Sequence, residues 1–278
     1  MTPRSCMLNT AMAEDFNYDP YFYSETNANT FQPSSRCIGP WDPEQQHGGP
    51  PIALLGQCFY RYQNDMESFV TRITAEILGP VSLDPMAVKV SVARAGKRIE
   101  LLEGSITQNG RVVLRGLCWR FRVGRSQVMP FDEGFSVPLI PDRESLVRFP
   151  TVANVPYIES MEWRFVVGGF DIPGKAILWT RPKVPLIDGE STSSLAKALL
   201  MLDSANGASS VLSFTSNLFV PVDMTLALLR TPEGDWIGME AETAIGELGS
   251  GITKTVLFDA FGYVGSTLHT LFVETRGT

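Results

Sequence analysis

The chain has 278 residues, 44% of them hydrophobic and 19% charged, with 30 acidic against 23 basic side chains, a formal net charge of −7 and a pI near 5.0. That balance excludes a surface built to grip a nucleic-acid backbone. No run approaches the roughly 18 apolar residues that a membrane span needs, so neither nucleic-acid nor membrane partners are expected. Four cysteines (Cys6, Cys37, Cys58, Cys118) stand far apart, without a C-x-x-C pair or a matching His spacing. They predict reduced thiols in a cytoplasmic protein rather than a disulfide framework, and no metal site. Only two histidines occur, His47 and His269, so any imidazole chemistry rests on these two residues.

Residues 1–27 lack the apolar core of roughly seven or more residues that a secretory signal carries, and read as a flexible extension. The first regular element expected is a helix over 49–64 (GPPIALLGQCFYRYQN), where Pro50 and Pro51 suit a first turn with no intrahelical donors to lose. Its apolar residues Ile52, Leu55, Phe59 and Tyr62 recur at helical spacing. Alternation and β-branched content then predict strands over 71–78, 87–93, 98–106 and 111–123. Prolines 130, 138, 141, 150 and 156 interrupt the next stretch, so 125–158 reads as a linker between an N-terminal unit (28–124) and a C-terminal one (159–278). Beyond it, strands are expected over 162–167, 175–180, 218–229, 236–244, 251–258 and 263–274. A second helix is expected over 192–205, opened by Ser/Thr caps and closed near Asn206-Gly207.

The halves also repeat each other weakly. FVTRITAEIL and VPVDMTLALL align without a gap, bringing Thr74 opposite Thr225 and Leu78 opposite Leu229, each 151 residues apart, and the turn glycines Gly110 and Gly262 lie 152 apart. A near-constant offset across two strands and a turn is the signature of duplication.

A helix followed by antiparallel strands, present twice, is the plan of a double hotdog. The run GPWDPEQQHGGPPIALL (39–55) resembles the thioesterase-like relatives of the acyl-CoA thioesterase II family, in which a Gly-Gly pair opens the first hotdog helix. SLAKALLMLDSANG (194–207), VDMTLALLR (222–230), DWIGMEAETAIG (235–246) and LFDAFGYVGSTLHTLFV (257–273) extend the resemblance over 31–276. It implies an α+β double hotdog fold and hydrolysis of an acyl thioester carried on coenzyme A or an acyl carrier protein. Coenzyme A would be part of the substrate, with no separate cofactor, and a homodimer is a further expectation. In that family an Asp, a Thr and a Gln of the second hotdog orient and activate a water. Residue by residue, the Asp falls on Asp203, the Thr on Pro221 and the Gln on His269, with Asp223 two residues after the Thr position.

Thioester hydrolysis needs a water aimed at a carbonyl carbon, a base beside that water and donors for the oxyanion. Asp203 follows Leu195 and Leu199 at i+4 steps, so it shares the stripe that faces the sheet. As a carboxylate at a helix C-terminus it opposes the dipole, which raises its pKa. An imidazole at His269 can take and return a proton where Gln can only orient, making an Asp203–His269 catalytic pair the expectation. Gly48 and Gly49 let a ligand approach the α-helix start, His47 stands at its mouth, and Asp223 interrupts an apolar strand; these are the expected substrate-binding residues. Asn206 is expected to end the second helix. His47 and His269 should then share a pocket. Two other readings stay open on the residues. One is a dehydratase, hydratase or other tailoring enzyme acting on an acyl or polyketide intermediate, for which the His–acid pair argues. The other is a non-catalytic hotdog binding or scaffold protein, for which the altered triad argues.

Overall fold

A computed structural model describes residues 18–62, 67–124, 134–147, 149–151 and 154–276. Cys6, most of the expected extension and the first part of the expected linker lie outside the described residues. The first half runs β1 (Tyr23–Asn27), β2 (Thr30–Pro33), α1 (Gly49–Arg61), β3 (Ser68–Ile77), β4 (Met86–Arg94), β5 (Ile99–Gln108) and β6 (Arg111–Arg122). The second runs α2 (Pro156–Glu159), β7 (Met161–Gly169), β8 (Ile172–Pro182), α3 (Ser194–Leu202), α4 (Ala205–Ala208), β9 (Asn217–Pro221), β10 (Asp223–Leu228), β11 (Ile237–Ile245), β12 (Ser250–Asp259) and β13 (Gly262–Thr275).

All thirteen strands of the described residues join one antiparallel sheet, ordered β1-β2-β4-β5-β6-β3-β10-β13-β12-β11-β8-β7, with β9 added to β13. The order reads the same from either edge. A hairpin, a helix and four strands are laid down once in each direction, and the halves meet where β3 pairs with β10. In that pairing Thr74 lies directly opposite Thr225, flanked by Asp223 opposite Glu76 and Ala227 opposite Arg72. Residues aligned by the 151-residue repeat are therefore partners across a pseudo-two-fold axis through the Thr74–Thr225 pair. The repeat read from the sequence is the symmetry of the sheet.

Three expectations need correction. Tyr23–Asn27 belongs to an edge hairpin and not to a loose extension: Phe22 and Tyr23 are fully buried, and the Tyr23 N–H donates to the Leu186 carbonyl at 2.9 Å. The expected strand 218–229 is two strands, because Val222 turns outward and Asp223 Oδ1 accepts the Thr270 N–H at 2.7 Å, fastening the break to β13. The second helix stops at Leu202 and restarts for a single turn at Ala205, with Asp203 as the C-cap of α3.

The two long helices lie antiparallel against each other on the buried face of the sheet. Alternation explains the contact: in β10, Met224, Leu226 and Leu228 face inward while Asp223 and Thr225 face out. On α1, Ile52, Leu54, Leu55 and Phe59 are at most 1% exposed, each contributing about 2 kcal/mol of transfer free energy. Antiparallel packing sets the N-terminus of α1 against the C-terminal end of α3, and that juncture carries the site. Among the described residues, no helix is long and apolar enough to cross a membrane.

One ion pair anchors the second half. Asp259, fully buried, accepts both Arg230 Nη groups at 2.6 Å together with the Glu233 and Phe261 N–H groups. Burial alone would raise its pKa, but Arg230 and the two amides hold it below the ordinary carboxylate value. Its contribution to stability is thus complete above the unfolded-state pKa and is lost as pH falls through the lower folded value. Asp259→Ala leaves Arg230 unpaired and is expected to cost about 3–5 kcal/mol at pH 7 in urea unfolding, with the difference from wild type shrinking at acid pH.

Candidate active site

A cavity of about 300 Å³ opens where the two helix ends meet. Its polar end holds His47, Gly48 and Asp203. Its apolar walls come from loops of both halves, among them Trp41, Phe149, Phe170 and Phe214, and from Val220 and Pro221 at the end of β9. Trp41 packs on Phe214 and Phe219, and Phe149 on Phe170 and Phe214, so the wall is one continuous aromatic layer.

Asp203 is 6% exposed and sits between the helix dipoles. The backbone N–H groups of Gly48 and Gly49, at the positive end of α1, bond to its carboxylate and favour ionisation. Burial opposes them and wins, pushing Asp203 up to about 7. The sequence led to the right direction by another cause: desolvation, and not the dipole of α3, dominates. The His47 Nδ1 lies 3.1 Å from Asp203 Oδ2 and also accepts the Gly49 N–H at 3.1 Å. Burial lowers His47 to about 3, so its imidazole is neutral at physiological pH. The pair therefore changes charge at the carboxylate, near neutrality.

Tyr157, which sequence reasoning missed, fixes this pair. Its ring stacks on His47 at 3.8 Å between centroids, nearly parallel, while its hydroxyl donates to the Leu200 carbonyl at 2.7 Å and lies 2.9 Å from Ser204 Oγ. It bridges the imidazole to the last turn of α3. A tyrosine one residue after a proline in a linker carries no periodic signal that would have singled it out.

The expected placements divide. His47, Gly48 and Asp203 meet at the cavity, and Gly49 stands directly behind, against the Leu200 carbonyl. The glycine N–H groups are committed to Asp203 and His47, so they hold the acid and its partner; they are not free donors for a substrate oxygen. His269 does not line the cavity. It lies on the inner face of β13 opposite Thr253, fully buried, with no partner on either ring nitrogen, and burial lowers it to about 4. The two histidines do not share the pocket: His47 lines it, and His269 is enclosed between β13 and its neighbours, outside the lining. Asp223 is used by the β9–β10 break and does not reach the cavity lining. Asn206 lines the cavity and donates to the Phe219 carbonyl at 3.3 Å, tying α4 to β9 instead of ending α3.

Comparison with known proteins agrees with this architecture. Residues 38–121 match the model of an acyl-CoA thioesterase N-terminal domain and residues 136–273 that of an acyl-CoA thioesterase C-terminal domain. Among solved structures, the chain resembles a putative thioesterase II from Thermobifida fusca YX (15% identity, 92% of this chain and 96% of that one, TM-score 0.69). It also resembles the acyl-CoA thioesterase II TesB2 of Mycobacterium marinum (14%, 92% and 96%, TM-score 0.67) and a putative thioesterase of Novosphingobium aromaticivorans (19%, 92% and 99%, TM-score 0.67). At these identities the solved structures speak for the fold alone. No curated protein matches the chain by sequence. Its fold is the double hotdog of thioester hydrolases. By the two domain matches, which together span most of its length, the chain belongs to the acyl-CoA thioesterase family and is a hydrolase.

Proposed function

We propose that the chain hydrolyses an acyl-coenzyme A thioester in the Asp203 cavity, with Asp203 as the general base and His47 as its partner. The observation that carries this is a buried carboxylate whose pKa stands near 7, in contact with a neutral imidazole at the end of an aromatic cavity. The acyl chain occupies the apolar part, where its burial contributes about 0.8 kcal/mol per methylene. The thioester carbonyl lies at the polar end, and ionised Asp203 takes a proton from the water that attacks it. Protonated Asp203 then gives that proton up to the departing thiolate, directly or through His47, whose Nδ1 faces it at 3.1 Å and whose other ring nitrogen passes a proton on, so that both groups return to their starting states. Thiol release from the acyl carrier protein form of the same acyl group is the corresponding expectation for the alternative carrier. Release of free coenzyme A, followed with a chromogenic thiol reagent across acyl chain lengths, tests the reading; folded protein that releases no thiol from any of them refutes it.

A second measurement separates the two histidines. His47→Gln should lower kcat by about 10²-fold, within the range for one acid–base participant. His269→Leu, which removes both ring nitrogens from a buried position outside the cavity lining, should change it by less than about threefold. If His269→Leu is the damaging variant, the Asp203–His269 pair expected from the sequence is reinstated and the role given to His47 falls.

A further inference from the structure

The sheet's pseudo-symmetry predicts a counterpart to the Asp203 cavity at the opposite end of the helix pair, and a second cavity of about 380 Å³ lies there. Five of its lining positions repeat those of the first. Ile77, Pro80 and Val81 line the first cavity, and Leu228, Thr231 and Pro232, each 151 residues later, line the second. Val220 and Pro221 line the first, and Phe69 and Val70, each 151 residues earlier, line the second. The helix ends obey the same rule. In the first cavity the start of α1 meets the end of α3; in the second, Ser193 and Ser194 at the start of α3 meet Phe59 and Tyr60 at the end of α1.

The chemistry is not duplicated. Where Asp203 receives the N–H groups that open α1, Gln57 receives the one that opens α3: its Oε1 accepts the Ser193 N–H at 3.0 Å, and its Nε2 donates to the Ser191 carbonyl at 3.3 Å and to Glu190 Oε1 at 2.5 Å. An amide with every polar atom engaged carries no charge and takes no proton from water. No histidine stands beside it. The cavity keeps apolar residues, Phe59, Phe69, Leu195 and Leu228, beside the Arg120 guanidinium and the hydroxyls of Ser68 and residues 191–194, and lacks the base.

We propose that this second cavity binds an acyl chain without hydrolysing it, so that each chain holds two acyl groups and cleaves one. The proposal rests on reading the Asp203 cavity as the acyl thioester site, since the occupant is inferred from the shared walls. The chain can arrive on a thioester or as the released acid, and the test distinguishes these. Full-length protein is titrated by equilibrium dialysis with a non-hydrolysable decyl thioether of coenzyme A and, separately, with decanoate. Two thioether molecules per chain are expected in the wild type. Pro80→Trp and Thr231→Trp, equivalent exposed positions on the rims of the two cavities, should each reduce this to one, and the double variant to none. A second equivalent seen with decanoate and not with the thioether identifies the free acid as the occupant and supports the proposal. A wild type that takes no second equivalent of either ligand, or two equivalents that persist in Thr231→Trp, overturns it. Coenzyme A release alongside a single equivalent defeats this inference and leaves the hydrolytic reading standing; two equivalents without any release defeat the hydrolytic reading and leave the duplicated acyl site.

Discussion

Asp203→Asn is expected to lower kcat for acyl-coenzyme A hydrolysis by about 10³-fold while leaving the fold intact, because the amide oxygen still accepts the Gly48 and Gly49 N–H groups but no longer takes a proton. The same variant should lose the pH dependence. In the wild type the active form is ionised Asp203, so kcat/KM rises with pH and levels off above about 7. His47, lowered to about 3, stays neutral across this window and adds no limb of its own. Steady-state rates from pH 5 to 9 check both points. A wild-type profile that is flat through pH 7, or an Asn variant that keeps the limb, removes Asp203 from the role of base.

The stability of the same variant should move the other way. The folded value of Asp203, about 7, lies above the ordinary 3.8, so the folded state holds a proton that the unfolded chain gives up. Its stabilising contribution is complete below about pH 4 and is lost as pH rises to about 7. Above that, keeping the buried carboxylate ionised costs as much as about 4 kcal/mol, at 1.36 kcal/mol per unit. Asp203→Asn is free of this cost. Its melting temperature should exceed that of the wild type by up to roughly 10 °C at pH 8 and converge with it near pH 4. A catalytic group that destabilises the fold in its working form is the trade expected of an active site.

The parts of this site legible in the sequence are those that a family motif and local periodicity mark together. Asp203 falls on the family's Asp at the end of the second helix, and it also continues the Leu195–Leu199 stripe, where a charge breaks a rule that stability alone would keep. The 151-residue repeat was legible because aligned strands carry the same alternation, and it marked the Thr74–Thr225 axis on which the sheet turns. His269 misled for a related reason. Alternation in β13 places it on the inner face, but a period of two says nothing about which part of that face the cavity occupies. Tyr157 and the layer of Trp41, Phe149, Phe170 and Phe214 come from loops of both halves, whose convergence is a property of the tertiary fold. The β1–β2 hairpin escaped notice because its strands are only five and four residues long.

Three glycines on the helix contact should give three different results when changed to alanine, and their contrast tests the geometry of the juncture. A Cβ at Gly49 collides with the Leu200 carbonyl oxygen, which is backbone and is also bonded by Tyr157. The helices must separate, so Gly49→Ala is expected to cost about 3 kcal/mol or more despite alanine's better helix propensity. At Gly56 the obstacle is Leu199 Cδ1, the end of a flexible side chain that can change rotamer; there the gain of roughly 1 kcal/mol in propensity offsets most of the strain, and stability should shift by less than about 1 kcal/mol. At Gly48 the nearest atoms to a Cβ are those of the Asp203 carboxylate, at 2.8–3.0 Å. The carboxylate must give way by a few tenths of an ångström, which moves it relative to both His47 and the attacking water. Gly48→Ala should therefore keep most of the stability and lose about 10²-fold in kcat, since displacement of a base by this order already disturbs the attack geometry. Urea unfolding and hydrolysis rates measured on all three decide the matter: if Gly48→Ala hydrolyses like the wild type, Asp203 is not held where the chemistry occurs.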